Sequence, residues 1–298
     1  MSSAKTMSTT VDDTKWHAYT SSTETMRTWA KQIESYDDVP DEFRSVFAES
    51  AEPFPYTIFL PEDRQSKHKE GSKLICLYED RFTLFTFKRG ELQTVSSAFA
   101  DVIYLERGKV LLNSWLVIKT LSGTAVFQFN TTNDHLFQPI INSIREGMVH
   151  DSQHAGDGVP DLSAFDYLDK INFKYMNYGR SSVRTGDEVI DITYQPEQDI
   201  QAINFFGKTV YRRYKTSHLT ILTAQELILI RESQPIRNNF DPTNGGIFIY
   251  IPRRNIAGVS FASDQEDALS TMNISLPKDG RLTVAYGVGI DELKAGMG

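Results

Sequence analysis

Between Tyr56 and Phe129 the alternation of apolar and polar residues predicts short β-strands joined by tight turns. The run Phe82–Phe87 alternates, so Phe82 and Leu84 face one side of a sheet while Thr83, Phe85 and Phe87 face the other. Three segments have the composition of hairpin turns: Lys88-Arg89-Gly90-Glu91, Arg107-Gly108-Lys109 and Leu121-Ser122-Gly123-Thr124. Consecutive short strands with tight turns favour an antiparallel barrel or sandwich over a parallel α/β sheet.

Helical periodicity occurs at both ends of this β region. Upstream, the apolar residues of Met26–Tyr36 recur at helical spacing, and Asp41–Ser50 predicts a second short helix. Downstream, Asn130 and Asn133 are suitable caps for a helix with an apolar stripe formed by Leu136, Phe137, Ile140, Ile141, Ile144 and Met148. Pro139 fits a first helical turn, which places the helix start near Gln138 or makes Asp134–Gln138 a separate turn.

The two halves of the chain repeat one order of landmarks. The offset between matching residues is 135 for Pro61 and Pro196 (196 − 61), 145 for Leu84 and Leu229 (229 − 84), and 157 for Gly123 and Gly280 (280 − 123). Because the offset only increases, we expect a duplicated unit whose second copy carries insertions, at Glu197–Arg213 and Ser233–Gly246. Only a short segment, Ile290–Ala295, follows the last predicted strand of the second copy, too short for a full counterpart of the first copy's helix.

These patterns predict four segments. Residues 1–50 form a flexible N-terminus with short helices, and residues 51–149 form the first β unit. Residues 150–161 are rich in turn formers and form a linker, and residues 162–298 form the second unit with its insertions. A length of 298 residues agrees with two domains of about 150 residues each.

Both halves contain a corner motif followed by a long hairpin. The corners are Phe99-Ala-Asp101-Val102 and Ile251-Pro-Arg-Arg-Asn255-Ile256, and the hairpins lead to Gly123-Thr-Ala-Val-Phe and Gly280-Arg-Leu-Thr-Val. In this the chain resembles the bacterial branch of the pleckstrin-homology-like (PH-like) superfamily, over Tyr56–Met148 and Val189–Leu293. The resemblance implies a mostly β, α+β fold: two PH-like barrels in tandem, the first capped by a helix, preceded by N-terminal helices. It also implies a non-catalytic scaffold that binds a ligand, a lipid or a protein.

Charge and hydropathy narrow the expected partners and location. The formal net charge of −8 makes nucleic-acid binding and attraction to anionic membranes through overall charge unexpected. The polar start Met1–Thr10 lacks the apolar core of a signal peptide. No apolar run approaches the ~18–20 residues of a membrane span. We therefore expect a soluble cytoplasmic protein without a transmembrane segment.

No motif in the sequence indicates catalysis. Phosphate-loop, dinucleotide-binding, nucleophile-elbow and zinc-protease signatures are missing, so we expect no enzyme activity, no cofactor and no metal. Cys76, the single cysteine, lies in the apolar run Leu74–Tyr78 and is expected to be a buried strand residue. His150 and His154 have a metal-ligand spacing but lie in the linker, where solvated loop histidines are the better interpretation.

Two basic clusters are the candidate ligand-binding residues: Arg212, Arg213 and Lys215 in the first, and Arg253 and Arg254 in the second. In a PH-like fold such residues near an open barrel end often bind phosphate groups, and the alternative is that they are solvated strand residues. Aromatic residues of the second half are expected to be buried between the domains or to form an interface patch, namely Phe173, Tyr175, Tyr178, Phe205 and Phe206.

Together these patterns favour a non-enzymatic scaffold that binds a protein partner through strand edges or an interdomain groove. The alternative is binding of an anionic lipid headgroup, at the membrane surface, through the basic residues of the second unit. A third hypothesis, an enzyme whose groups converge from distant segments, leaves no signature in sequence spacing.

Overall fold

The computed structural model describes residues 29–47, 53–62, 71–110, 112–149, 158–205, 208–232, 245–264, 269–287 and 295. For residues 198–205, 208–215, 263–264 and 269 the backbone alone is described. The chain divides into two units, an N-terminal unit within 16–150 and a C-terminal unit within 151–298. The described part is mostly β, and every strand pairing given below is antiparallel.

The N-terminal unit begins with a five-stranded sheet in sequential order. Its strands are β1 (Lys31–Ile33), β2 (Tyr56–Leu60), β3 (Ser72–Leu77), β4 (Arg81–Lys88) and β5 (Glu91–Ala98). The β4–β5 turn consists of Arg89 and Gly90, with φ of 54° and 83°. Two consecutive positive φ values define the type I′ turn, which matches the twist of the flanking strands and suits glycine at the second position. The hairpin predicted here is confirmed.

A second group of strands and a helix complete the N-terminal unit. A short 3-10 helix, Phe99–Asp101, leads from β5 into β6 (Val102–Val110), which pairs with β7 (Asn113–Thr120); β7 pairs in turn with β8 (Thr124–Asn130). The 3-10 helix Thr131–Asn133 then leads into α1 (Asp134–Met148). Phe137 of α1 stacks on Phe129 of β8 with ring centroids 3.7 Å apart. The apolar stripe predicted for α1 is buried except for Leu136, which is half-buried.

The two faces of the first sheet pack against different elements of the N-terminal unit. The outer face, which includes Leu74, Cys76 and Phe85, packs against the 3-10 helices Tyr36–Asp38 and Asp41–Val46 in a core rich in phenylalanine. The inner face meets the second group of strands, because the Lys73 ammonium donates to the backbone oxygen of Val126 in β8 at 3.0 Å. Folding therefore buries apolar side chains on both faces of the sheet. This burial is the main source of stability in a unit of this size.

The C-terminal unit starts with helical segments, the 3-10 helix Ser163–Asp169 and α2 (Phe173–Ser182). Within this unit four strands form a sheet in the order β9-β12-β13-β14. Their bounds are β9 (Val189–Gln195), β12 (His218–Thr223), β13 (Glu226–Arg231) and β14 (Gly245–Pro252). A hairpin of β10 (Gln198–Phe205) and β11 (Lys208–Lys215) separates β9 from β12. After the 3-10 helix Arg253–Asn255 come β15 (Gly258–Asp264), β16 (Leu269–Leu276) and β17 (Gly280–Tyr286), paired in sequence.

The two units repeat the same succession of elements. In each, helical segments cover one face of a sheet that contains four corresponding strands, namely β2 to β5 or β9 and β12 to β14, and β1 adds a fifth strand in the N-terminal unit. A three-residue 3-10 helix then turns the chain, and three strands follow. The pairing register repeats as well, since the row Ile58–Ile75–Leu84 corresponds to the row Thr193–Thr220–Leu229 at the predicted offsets of 135 and 145. The hairpin β10–β11 lies in the first predicted insertion and extends to Lys215, whereas residues 233–244 of the second lie outside the described residues.

Three predictions of local structure are wrong. Residues 31–33 of the predicted helix Met26–Tyr36 form strand β1, because Lys31–Ile33 pair with the open edge of β2. Gly108 is not a turn residue but lies within β6, where the indole of Trp115 covers it; a Cβ there would lie 2.0 Å from the ring. Pro139 is the sixth residue of α1 rather than part of its first turn, and its exposed ring costs the helix one backbone hydrogen bond.

The aromatic-rich segment Phe173–Tyr178 is the start of α2. The side chain of Asn172 caps this helix by accepting a hydrogen bond from the backbone N–H of Tyr175 at 3.2 Å. In the described ranges, no helix combines the length and the apolar character needed to cross a bilayer. Apart from Ala295, the residues after Gly287 lie outside the described part, and so does the predicted truncation of the last helix.

Candidate functional site

The first basic cluster lies on the hairpin β10–β11. Arg212, Arg213 and Lys215 pair through their backbones with Ala202, Gln201 and Gln198, and their side chains are outside the description. Lys215 precedes His218, the first residue of β12, by three positions. The hairpin therefore joins the C-terminal sheet at the end where β12 begins.

The second basic cluster lies at the opposite end of that sheet. Arg253 and Arg254 form the 3-10 helix that follows β14, and the backbone N–H of Arg253 donates to the oxygen of Gln225 in the β12–β13 turn at 2.8 Å. Arg253 is half-buried and Arg254 is exposed. Because β12 has six residues, the two clusters are separated by roughly 17–20 Å along the strand direction. The backbones of Lys215 and of the pair Arg253–Arg254 therefore lie at opposite ends of β12.

A polar group occupies the inner face of the C-terminal sheet, and it includes Thr220, whose counterpart in the N-terminal unit is Ile75. The hydroxyls of Thr220 and Tyr286 lie 2.6 Å apart, and both residues are fully buried. The ring of His218 meets the Tyr286 ring edge-on at 4.9 Å. Gln195 accepts a hydrogen bond from the backbone N–H of Gly287 at 2.7 Å. These contacts join the four-stranded sheet to β17.

Burial shapes the electrostatics of this polar group. Loss of hydration lowers the pKa of His218 to about 4, and the positive charge of Arg231 acts in the same direction. Burial also raises the pKa of the Tyr286 phenol well above its usual value. His218 and Tyr286 are therefore both uncharged at neutral pH. Such an arrangement orders the interior through hydrogen bonds.

The outer edge of strand β5 is the distinguishing feature of the N-terminal unit. This strand has eight residues, pairs with β4 over its whole length without a bulge, and ends the sheet among the described strands. Its residues from Leu92 to Ala98 carry no charge and include no proline. Five of the eight side chains are exposed.

The register shows which backbone groups of β5 point away from β4. Lys88 and Glu91 flank the two-residue turn and form the first hydrogen-bonded pair, and such pairs alternate along an antiparallel ladder. The backbone bond from Phe99 N–H to the Asp80 oxygen, at 2.9 Å, continues the same alternation. The backbone N–H and C=O groups of Leu92, Thr94, Ser96 and Ala98 therefore point outward.

Unprotected edges of this length are uncommon, because unpaired backbone groups attract other strands. Three other described strand edges are short or hydrogen-bonded. The phenol of Tyr167 is hydrogen-bonded to the backbone of Tyr194 in β9, Lys73 bonds to the carbonyl of Val126 in β8, and β1 has only three residues. On β5, by contrast, the Ser97 hydroxyl donates to the outward backbone oxygen of Ala98 at 3.3 Å, a contact within the strand itself.

The aromatic residues of α2 do not behave as one patch. Tyr175 is buried inside its own unit and donates a hydrogen bond to the backbone oxygen of Ser217 at 2.5 Å, Tyr178 is half-buried against Phe248, and Phe173 is 60% exposed. Of the two alternatives for these aromatic residues, burial or an interface patch, burial does not apply to Phe173, the exposed first residue of α2. Phe206 and the side chain of Phe205 are outside the description.

The outer edge of β5 was missed as a site although its signal is present in the sequence. The stretch Glu91–Ala98 is a strand without proline or internal charge, but only the sheet order reveals that it is an edge. Among the described residues no group of three or more histidine, cysteine, aspartate and glutamate side chains is placed to hold a metal. Neither a protein-family model nor a curated protein matches this sequence.

Proposed function

We propose that this chain is a non-enzymatic scaffold of two PH-like domains, and that it binds a protein partner by adding a strand of that partner to the outer edge of β5. Strand addition supplies main-chain hydrogen bonds for affinity and side-chain contacts for specificity. The single observation that carries this proposal is the long, uncharged and unpaired edge of β5.

The PH-like assignment rests on the element order. A sheet of four antiparallel strands, a turn, three further antiparallel strands and a closing helix is the order expected of that superfamily, and β2 to α1 follow it. The strands β9 and β12 to β17 repeat it with one inserted hairpin. Fold alone does not assign a function, so the functional proposal depends on the edge and not on the likeness.

Binding of an anionic headgroup through all five basic residues has less support. Their backbones lie at opposite ends of the C-terminal sheet, and a single phosphate group contacts side chains within a few ångströms of one another. A headgroup site restricted to one cluster remains compatible with this placement. Flotation with vesicles containing about 30% anionic lipid tests it, since loss of binding in Arg253→Glu/Arg254→Glu supports such a site.

The strand-addition proposal is tested by one backbone change. Thr94→Pro removes an outward N–H without affecting the bonds to β4, because proline is tolerated at edge positions whose N–H faces solvent. Thr94→Ala is the matched control, since it removes the same side-chain atoms and keeps the N–H. Circular dichroism and thermal unfolding establish that both variants are folded.

The readout is affinity capture with the full chain as bait. We expect proteins retained by the wild type and by Thr94→Ala to be lost by Thr94→Pro, with binding weakened at least about tenfold. Equal retention by all three baits would contradict the proposal, because a partner that ignores the missing N–H is not paired with β5. Retention of no protein by any bait, neither a different protein nor a second copy of this chain, would contradict it as well.

A further inference from the structure

The two ends of the β5 edge carry opposite charge. Exposed Lys88, the last residue of β4, and exposed Arg89 in the β4–β5 turn lie at one end. At the other end lie exposed Glu79 and Asp80 of the β3–β4 turn and exposed Asp101 of the 3-10 helix after β5, together with Arg81, whose guanidinium is 3.2 Å from the Asp80 carboxylate, so the acidic charges outnumber the basic one there. The backbone bond from Phe99 to Asp80 places the two acidic segments side by side. A strand added to this edge thus meets a basic end beside Glu91 and an acidic end beside Ala98.

A second copy of β5 has the complementary arrangement when it runs antiparallel. A two-fold axis at Val95 pairs Leu92 with the partner's Ala98 and Thr94 with the partner's Ser96. All four outward-facing residues of each copy then lie in hydrogen-bonded pairs, which gives about eight backbone hydrogen bonds over the strand. The half-buried Val95 side chains of the two copies meet on the axis.

The same register places unlike charges together at both ends. It brings the turn with Arg89 of one copy beside the 3-10 helix Phe99–Asp101 of the other, and the symmetry repeats the contact. A parallel arrangement would instead put basic turn against basic turn and acidic segment against acidic segment. Charge therefore selects the antiparallel register, and isologous contacts of this kind close after two copies.

We propose that the partner strand at the edge of β5 is β5 of a second copy, so that the chain forms a two-fold symmetric dimer with a continuous sheet across the axis. The inference rests on the proposed strand addition at this edge and names its occupant. The contact is dominated by one strand on each side, so it belongs with the small interfaces that associate reversibly. The dimer is expected to depend on concentration and on salt.

Sedimentation equilibrium of the full chain tests the proposal over a range of about 1 to 500 μM, which brackets the affinities of small interfaces. We expect the wild type and Thr94→Ala to approach twice the monomer mass as concentration rises. Thr94→Pro removes an outward N–H from each copy and should weaken dimerisation at least about tenfold. A wild type that stays monomeric throughout this range would overturn the inference, and so would a Thr94→Pro dimer of unchanged affinity.

Charge reversal tests the register independently of the backbone. Arg89→Glu and Asp101→Arg should each weaken the dimer, since each places like charges together twice across the axis. The double variant restores both contacts with reversed sign and should recover most of the affinity. If the double variant is weaker than either single variant, the proposed register is wrong.

Failure of the dimer can be distinguished from failure of strand addition. If the wild type is monomeric while Thr94→Pro still loses a protein retained by Thr94→Ala, the edge binds a different protein and only the present inference is rejected. If the chain is monomeric and Thr94→Pro retains everything that Thr94→Ala retains, both proposals are rejected.

Discussion

The hydroxyl of Thr220 lies 2.6 Å from the hydroxyl of Tyr286, and both side chains are fully buried. Ile75 occupies the position of Thr220 in the N-terminal unit, since both lie in the second strand of the four-stranded sheet and in the corresponding row of pairs. The two units thus share a backbone register but differ in the polarity of their interior. In the C-terminal unit the hydrogen bond between Thr220 and Tyr286 joins β12 to β17.

Replacing Thr220 with valine should destabilise the protein by about 1–3 kcal/mol, because the Tyr286 hydroxyl then remains buried without its partner. Urea unfolding followed by circular dichroism measures the change. Tyr286→Phe should cost less, since it removes the buried polar atom that would be left unpaired, and the double variant should cost less than the sum of the two. Additive effects would show that the two hydroxyls are not coupled.

The pKa of His218 predicts a loss of stability in mild acid. Its folded pKa of about 4 lies below the unfolded value of 6.5, so the unfolded chain binds a proton first as the pH falls. The free energy of unfolding should therefore decrease between pH 6.5 and pH 4 and level off below, with a contribution of about 2–3 kcal/mol. The comparison is made by urea unfolding at pH 7, 5.5 and 4.5.

His218→Gln is the test variant for that titration, because glutamine keeps hydrogen-bonding groups and does not titrate. Its stability should fall less steeply than that of the wild type over the same pH interval. His135→Gln is the control, since His135 is exposed. An identical slope for the wild type and His218→Gln would contradict the assigned cause.

The contact between Gly108 and Trp115 predicts a sharp steric limit in β6. A Cβ on Gly108 would lie 2.0 Å from the indole, so Gly108→Ala must displace the ring and weaken the hydrogen bond that Trp115 Nε1 donates to buried Glu106 at 2.9 Å. We expect a loss of about 2–4 kcal/mol, measured by urea unfolding with tryptophan fluorescence as a second probe.

Gly123→Ala provides the matched control, because a Cβ there has no neighbouring atom within 4 Å. It should change the free energy of unfolding by less than about 0.5 kcal/mol. Similar losses in the two variants would indicate that general strand propensity, and not the indole contact, explains the effect at Gly108.

Cys76 should be inert in the folded protein. It is fully buried in β3, and burial raises the pKa of its thiol to about 12, so the reactive thiolate is scarce at pH 8. Iodoacetamide should modify Cys76 in urea within minutes and leave the native protein unmodified over hours, as read by mass spectrometry. Rapid modification under native conditions would show that β3 opens or that the thiol is accessible.

The local sequence pattern correctly predicted the elements whose conformation is determined by their own residues. The hairpin at Arg89-Gly90 forms because glycine accepts the positive φ of a type I′ turn, and the stripe of α1 has a helical period that one buried face requires. The secondary-structure predictions failed where a contact with another strand or side chain determines the conformation. Lys31–Ile33 forms a strand because it pairs with the open edge of β2. Gly108 was mistaken for a turn residue, whereas its lack of a side chain allows the indole of Trp115 to pack directly against the strand.

The candidate sites likewise depend partly on the local sequence and partly on the tertiary structure. Arg253 and Arg254 are recognisable as a basic pair in the sequence, yet only the strand order shows that they follow β14 at the opposite end of the sheet from the base of the hairpin β10–β11. The sequence by itself determined the repeated order of strands, because period, turn residues and offsets are local properties of the chain. The tertiary structure decided that β5 is an edge and that Thr220 meets Tyr286, because a strand's outer neighbour and a side chain's distant partner depend on how the whole chain packs.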